Sequence, residues 1–206
     1  MAPTLAPEAL SPEESLERLR EGNRRFVRGE GSALRTWHPG LADGQAPFAV
    51  VLGCADSRAP AEYVFDQGLG DLFVIRVAGN IVAPSLVGSA EFAASKFGTR
   101  LVVVMGHTHC GAVGATMTAL EQGGPPASSN LRSIVERIAP NVQHLFDGPD
   151  APSTMYGVAV RANAVASARA LRASSPFLEK LSAEGRVKIV ASVYDLETGV
   201  VTFYDD

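Results

Sequence analysis

Two hydrophobic patterns alternate along the chain, and together they predict an α/β fold. Several short runs are apolar at nearly every position, which is typical of strands covered on both faces of a sheet. Between these runs, apolar residues recur at intervals of three and four, as they do on the buried face of a helix. The predicted strands are Phe48 to Gly53, Asp71 to Val77, Leu101 to Met105, Val187 to Tyr194 and Val200 to Tyr204.

The first predicted helix begins with Ser11 as its N-cap and Pro12 at its first helical position, followed by acidic residues. Its apolar stripe is thin, so we expect it to pack either on its own subunit or on a second one. The later predicted helices are Ser85 to Phe97, Gly111 to Leu120, Leu131 to Ile138, Met155 to Ala173 and Pro176 to Ala183.

This order of elements predicts a central, mostly parallel β-sheet flanked by helices. The turn at Asp195 to Gly199 predicts that the last strand is an antiparallel strand at the sheet edge. No repeat or linker divides the chain, so we expect residues 1–206 to form a single domain. Within it, residues 1–10 are expected to be flexible and residues 11–28 to form an N-terminal helical arm.

Composition and charge exclude several classes of partner. The formal net charge is −4 and 19% of the 206 residues are charged, so there is no basic field for nucleic acid or anionic lipid. The start of the chain lacks the basic and apolar regions of a signal peptide, and no run of about 18 apolar residues follows. We therefore expect a cytoplasmic protein, in which two reduced cysteines would bind a metal or be inert buried thiols.

Both cysteines come directly after predicted buried strands. Cys54 follows the first strand, while His107 and Cys110 follow the third. The carboxyl ends of parallel strands meet at one sheet edge, so these three side chains can converge. Either cysteine alone would more simply be an inert thiol. Two thiolates and one imidazole together suit Zn²⁺, and three protein ligands leave the fourth position open, as in catalytic sites.

A zinc ion with an open position lowers the pKa of bound water to about 7, which predicts attack by hydroxide on an electrophile. Asp56 and Arg58 lie two and four positions after Cys54, on the same side of an extended loop. Asp56 could orient the zinc hydroxide by accepting its hydrogen bond, or it could bind zinc itself and close the site. Arg58 would decide between these roles by holding Asp56 in an ion pair.

Taken together, the segments Cys54 to Arg58 and His107 to Gly111 closely resemble the β-class carbonic anhydrases, whose motifs are Cys-x-Asp-x-Arg and His-x-x-Cys. The resemblance extends from Glu21 to Gly199, which is nearly the whole chain. It implies a zinc enzyme that interconverts carbon dioxide and bicarbonate. The implied metal ligands are Cys54, His107 and Cys110, and the implied catalytic pair is Asp56 and Arg58.

The resemblance also implies three substrate contacts. Gln45 matches a glutamine that hydrogen-bonds the substrate, Phe73 matches an apolar residue that lines the pocket, and Gly111 matches a position whose backbone N–H addresses a substrate oxygen. Members of the family are dimers, often paired into tetramers, with the site near the subunit interface and the N-terminal helix over the partner. A homodimer or homotetramer is therefore expected.

One departure from the family concerns regulation. Some members hold an inhibitory bicarbonate in a pocket formed by a tryptophan, an arginine and a tyrosine, and this moves the aspartate onto zinc. The matching residues here are Val51, Arg76 and Phe92, so only the arginine is kept. This difference favours the open, water-bearing site at neutral pH.

Two alternative functions remain open from the sequence. A hydrolase of carbon dioxide analogues, such as carbonyl sulfide or carbon disulfide, would use nearly the same site. A non-catalytic zinc-binding protein would instead keep Asp56 permanently in the fourth ligand position.

Overall fold

The computed structural model describes residues 10–31, 37, 39–123, 128–147 and 155–204. Its strands are β1 (Ala49–Gly53), β2 (Leu72–Arg76), β3 (Leu101–His107), β4 (Lys188–Tyr194) and β5 (Val201–Tyr204). They form a five-stranded sheet in the order β2-β1-β3-β4-β5. The first four strands are parallel, and β5 pairs antiparallel with β4 at the edge. The predicted single α/β domain and its antiparallel edge strand are confirmed.

The helices lie close to their predicted positions. They are α1 (Pro12–Val27), α2 (Ala61–Val64), α3 (Pro84–Phe97), α4 (Gly111–Gln122), α5 (Ser129–Val142), α6 (Tyr156–Ala173) and α7 (Pro176–Ala183). The short helix α2 was not predicted, because a single turn is too short to show a helical period. No helix in the described part of the chain is long and apolar enough to cross a lipid bilayer.

The sheet is covered on both faces, which explains why its central strands lack polar alternation. Successive side chains of a strand point to opposite faces. One apolar layer, shared with α1 and α2, contains Val51, Val103 and Met105. The opposite layer, shared with α3, α6 and α7, contains Val50, Leu52, Val102 and Val104.

Helix α1 packs on its own subunit, which is one of the two arrangements expected from its thin apolar stripe. It begins with the predicted cap at Ser11, and Leu16 and Leu19 are buried in the core. The Asn23 amide donates to the carbonyls of Val64 and Gly199, so the helix is also tied by hydrogen bonds. Most of the segment predicted to be flexible, residues 1–9, lies outside the described residues.

The strand order creates a crevice where the candidate ligands lie. Strand β1 has β2 on one side and β3 on the other, so the sheet order reverses there, and ligands bind at such switch points. Cys54 directly follows β1, and His107 is the last residue of β3. The prediction that β3 ends at Met105 is wrong. The ladder with β4 continues until His107 pairs with Tyr194, although the apolar run has already stopped.

Candidate metal centre

Cys54, His107 and Cys110 form one buried group. Their candidate ligand atoms all lie within 4.8 Å of one another. The two Sγ atoms are 4.0 Å apart. Zinc bonds to sulfur of about 2.3 Å at a tetrahedral angle would place two sulfurs about 3.8 Å apart. The structure thus brings the three predicted ligands together at a spacing that suits zinc.

The His107 ring is oriented like a metal ligand. Its Nδ1 lies 2.8 Å from the Thr108 carbonyl, which can only accept a hydrogen bond, so Nδ1 carries the proton. This leaves a lone pair on Nε2, which is buried and has no hydrogen-bond partner among the described residues. An unpaired buried polar atom is costly unless something binds it. The imidazole is therefore prepared to bind a cation through Nε2.

The pKa of each thiol depends on the other. The hydrogen bond with Cys110 lowers the pKa of Cys54, and the same contact raises the pKa of Cys110. The first proton of such a pair leaves easily and the second with difficulty. Burial lowers the pKa of His107, but the neighbouring Cys54 and the Thr108 carbonyl raise it further than burial lowers it. Thiols and imidazoles that carry such protons release them when they bind a cation.

Asp56 lies beside the ligand group and is held by Arg58. The Arg58 backbone N–H and Nε each donate to Oδ1 at 2.9 Å, and Nη2 donates to Oδ2 at 2.8 Å. The guanidinium holds the pKa of the Asp56 carboxyl well below its usual range. Oδ2 is 3.8 Å from His107 Nε2. The described group of mutually close ligand atoms contains only the two cysteines and His107, so Asp56 is next to it rather than part of it.

Arg76 fixes the loop that carries Cys54 and Asp56. It is the last residue of β2, and its Nε donates to the Cys54 carbonyl at 2.9 Å while its Nη2 donates to the Asp56 carbonyl. Of the other two residues matched to the regulatory pocket, Val51 is fully buried and Phe92 is half exposed. The position of Arg76 at a strand end was visible in the sequence, but its backbone partners were not.

Cys110 and Gly111 begin helix α4. Cys110 is the N-cap, and its carbonyl accepts hydrogen bonds from the Gly114 N–H at 3.0 Å and from the Tyr156 hydroxyl. Gly111 is exposed at the first helical position, where backbone N–H groups have no partner within the helix. Its N–H is therefore free of partners inside the helix. His109, which is outside the ligand group, lies 3.3 Å from Glu197 through its Nε2.

Gln45 and Phe73 are placed differently from the other predicted site residues. Gln45 is exposed in the segment before β1. Phe73 pairs with Val50, four positions before Cys54, which is about 13 Å along the strand direction. Its ring packs against Phe92 and Phe97. Phe73 therefore does not lie beside the candidate ligands of its own chain. The substrate contacts predicted for Gln45 and Phe73 stay predictions.

Comparisons with known proteins agree with this geometry. The family model described as carbonic anhydrase matches residues 49–201. "Carbonic anhydrase 2" of Mycobacterium tuberculosis is 39% identical over 203 residues, covering 95% of this chain and 94% of the relative. The solved structure of the β-carbonic anhydrase CcaA superposes with a TM-score of 0.74 at 26% identity, covering 92% of this chain and 87% of that one.

Tetrameric β-carbonic anhydrases of Sordaria macrospora share the fold, with a TM-score of 0.68 at 23% identity and coverage of 82% and 85% of the two chains. The sequence match, the shared fold and the paired cysteine motifs at one sheet edge agree with one another. This chain belongs to the β-carbonic anhydrase family.

Proposed function

We propose that this protein catalyses the reversible hydration of carbon dioxide to bicarbonate and a proton, with Zn²⁺ held by Cys54, His107 and Cys110. The observation that carries the proposal is the group of three buried donors next to a carboxylate locked by Arg58. When bound, zinc lowers the pKa of a water ligand to about 7 and so supplies the nucleophile at neutral pH.

Asp56 orients the attacking water. Its Oδ1 accepts two hydrogen bonds from Arg58 and its Oδ2 accepts one, so Oδ2 keeps a lone pair. Oδ2 is also 3.8 Å from His107 Nε2, so it can accept a hydrogen bond from a water beside the ligands. Because Arg58 holds its pKa low, Asp56 stays ionised and does not keep the water's proton. The proton released by the reaction passes to buffer in solution.

The neutral substrate needs few polar contacts. The Gly111 N–H donates to the substrate oxygen that gains negative charge as the carbon is attacked. The Gln45 amide adds a second donor and Phe73 an apolar wall. Because Phe73 is about 13 Å along the strand from its own Cys54, we propose that it acts in the site of a second subunit.

This arrangement requires a homodimer or a homotetramer with the sites near the subunit interface. Strand β2, which carries Phe73, is the edge strand of the sheet opposite β5, and exposed strand edges are places where a second chain can pair. The S. macrospora relatives with the same fold are tetrameric. A cytoplasmic location stays a prediction.

Stopped-flow measurement of carbon dioxide hydration tests the proposal. The purified protein is assayed as isolated, after removal of metal with a chelator, and after addition of zinc. Activity should disappear with the chelator and return with zinc. Turnover of carbonyl sulfide or carbon disulfide without hydration of carbon dioxide would instead assign the hydrolase function. Bound zinc without turnover of any of these substrates would assign a non-catalytic zinc protein.

A further inference from the structure

Asn163 is a fully buried polar residue of α6 that the proposed reaction does not use. Its Nδ2 donates to the Gly79 carbonyl at 2.9 Å, and its Oδ1 accepts from Asn141 Nδ2 at 3.0 Å. A buried amide is tolerated when its hydrogen bonds are made, so these contacts fix its orientation. They also connect α6 to the segment that follows β2.

Gly79 connects Asn163 to Cys54, one of the proposed metal ligands. Its own N–H donates to Cys54 Sγ at 3.3 Å. Gly79 has φ +71°, and a Cβ there would lie 2.6 Å from Ile138 Cδ1 and 3.0 Å from the Ala112 Cβ, so any side chain would be strained. Asn163 therefore holds the carbonyl of the residue whose N–H points at the Cys54 sulfur. An N–H···S hydrogen bond stabilises a thiolate and orients it towards a metal.

Tyr156 makes the corresponding contact at the other cysteine. It lies seven positions before Asn163, which is about two turns, so both side chains leave the same face of α6. Its hydroxyl donates to the Cys110 carbonyl. The tyrosine ring is seated over Gly114, where a Cβ would lie 3.1 Å from the ring. The absence of a side chain at Gly114 makes room for this contact.

We propose that Tyr156 and Asn163 are positioning residues that hold the two cysteine ligands from one face of α6. Asn163 acts on Cys54 through Gly79, and Tyr156 acts on Cys110 through its backbone carbonyl. The two sulfurs are 4.0 Å apart and share a proton. Once that proton leaves, two like charges remain, so contacts from outside help to keep their loops at the metal spacing. The inference rests on the proposed zinc site.

The test measures zinc affinity of the full-length protein by competition with a chelator. Tyr156→Phe removes one oxygen and keeps the ring over Gly114, while Asn163→Leu removes both amide contacts at similar volume. Residues that support metal ligands in this way typically contribute 10- to 100-fold in affinity, so each variant should bind zinc about 10-fold more weakly or worse. In cobalt-substituted protein, the thiolate-to-metal absorption band of Asn163→Leu should also shift, since the Gly79 N–H is released.

Leu171→Ala is the matched control. Leu171 is buried in the same helix but packs in the layer shared with α3 and α7. This change should lower the melting temperature and leave zinc affinity within about twofold of the unaltered protein. An equal loss of affinity in Leu171→Ala would attribute the effect to a loosened helix and overturn the proposal.

Unchanged affinity and an unchanged cobalt spectrum in both α6 variants would also overturn the proposal. If Asn163→Leu does not fold, Asn163→Ala replaces it, because the smaller side chain also removes both amide contacts and cannot overpack the site. Failure of the unaltered protein to bind zinc would refute the proposed function itself. Zinc binding by the unaltered protein with equal binding by the variants would refute only the role of α6.

Discussion

The two loops that carry the candidate metal ligands differ in the side chains that they place beside those ligands. In the loop after β1, the side chains of Asp56 and Arg58 are 18% and 55% exposed. In the segment from β3 into α4, His107 and Cys110 are at most 1% exposed. Both loops bury their candidate ligands, since Cys54 is 5% exposed, but only the first places an ion-paired carboxylate beside them. In the proposed reaction the first loop therefore supplies the side chains that orient the water, and the second supplies two of the three ligands and the Gly111 N–H.

The two loops are also supported by different means. In the first, the Arg76 side chain from β2 donates to the carbonyls of Cys54 and Asp56, beside a backbone hydrogen bond from the Ala55 N–H to the Val77 carbonyl at 3.2 Å. The second is anchored by hydrogen bonds that include the backbone. Thr108 N–H donates to the Tyr194 carbonyl at 2.9 Å, and the Thr108 hydroxyl accepts from Leu196 N–H at 2.9 Å. Loss of the Arg76 guanidinium should therefore disturb the first loop more than loss of the Thr108 hydroxyl disturbs the second.

The largest effect is expected from Cys54→Ser, the ligand substitution in the first loop. A serine hydroxyl is a much poorer zinc ligand than a thiolate, and two remaining ligands do not complete the site. The purified variant should contain little zinc by elemental analysis and should show no hydration above the uncatalysed rate. Stoichiometric zinc retained by a folded Cys54→Ser protein would contradict the assignment of Cys54 as a ligand.

Asp56→Asn should separate chemistry from metal binding within that same loop. The amide can still occupy the space beside Arg58, but it lacks the charge and one of the acceptor positions of the carboxylate. Zinc content should stay at the level of the unaltered protein, and kcat for carbon dioxide hydration should fall by about 10²- to 10⁴-fold. Full activity in Asp56→Asn would remove the role proposed for this residue.

Gly79→Ala should destabilise the support of the first loop. An alanine at φ +71° adopts a left-handed conformation, and its Cβ would meet Ile138 Cδ1 at 2.6 Å. Together these effects should lower the free energy of unfolding by about 2 to 4 kcal/mol, measured by chemical denaturation. Gly88→Ala in α3 is the control, since its Cβ would enter open space. A comparable loss in Gly88→Ala would show that Gly79 is not special.

The sequence predicted the convergence of the three candidate ligands better than the contacts that support them. Cys54, His107 and Cys110 follow buried strands in the chain, so a parallel sheet alone brings them to one edge. The extension of β3 to His107 was missed because pairing with β4 continues through residues that are not apolar. The contact of Asn163 with Gly79 joins residues 84 positions apart, and no local pattern marks such a pair. The distance of Phe73 from Cys54, about 13 Å along the strand direction, was not predictable either, because it depends on the register between β1 and β2.

Arg76→Lys tests how strongly the first loop depends on the Arg76 guanidinium. A lysine ammonium is a point charge that cannot bridge the carbonyls of Cys54 and Asp56 as the planar guanidinium does. Asp56 should then sample misoriented positions, and kcat should fall about 10-fold, in line with the loss of one charged hydrogen bond. Zinc content of the purified protein should stay stoichiometric, because all three ligands remain and a roughly 10-fold loss of affinity would still leave zinc tightly bound.

Thr108→Val makes the corresponding change in the second loop and should have the smallest effect on activity. It removes the hydroxyl that accepts the Leu196 N–H, so the free energy of unfolding should fall by about 1 kcal/mol. The backbone hydrogen bond from Thr108 to Tyr194 is kept, so the ligands should stay in place and kcat should remain within about twofold. Equal losses of kcat in Thr108→Val and Arg76→Lys would mean that both loops contribute equally to orienting the reaction, which would end the distinction between them.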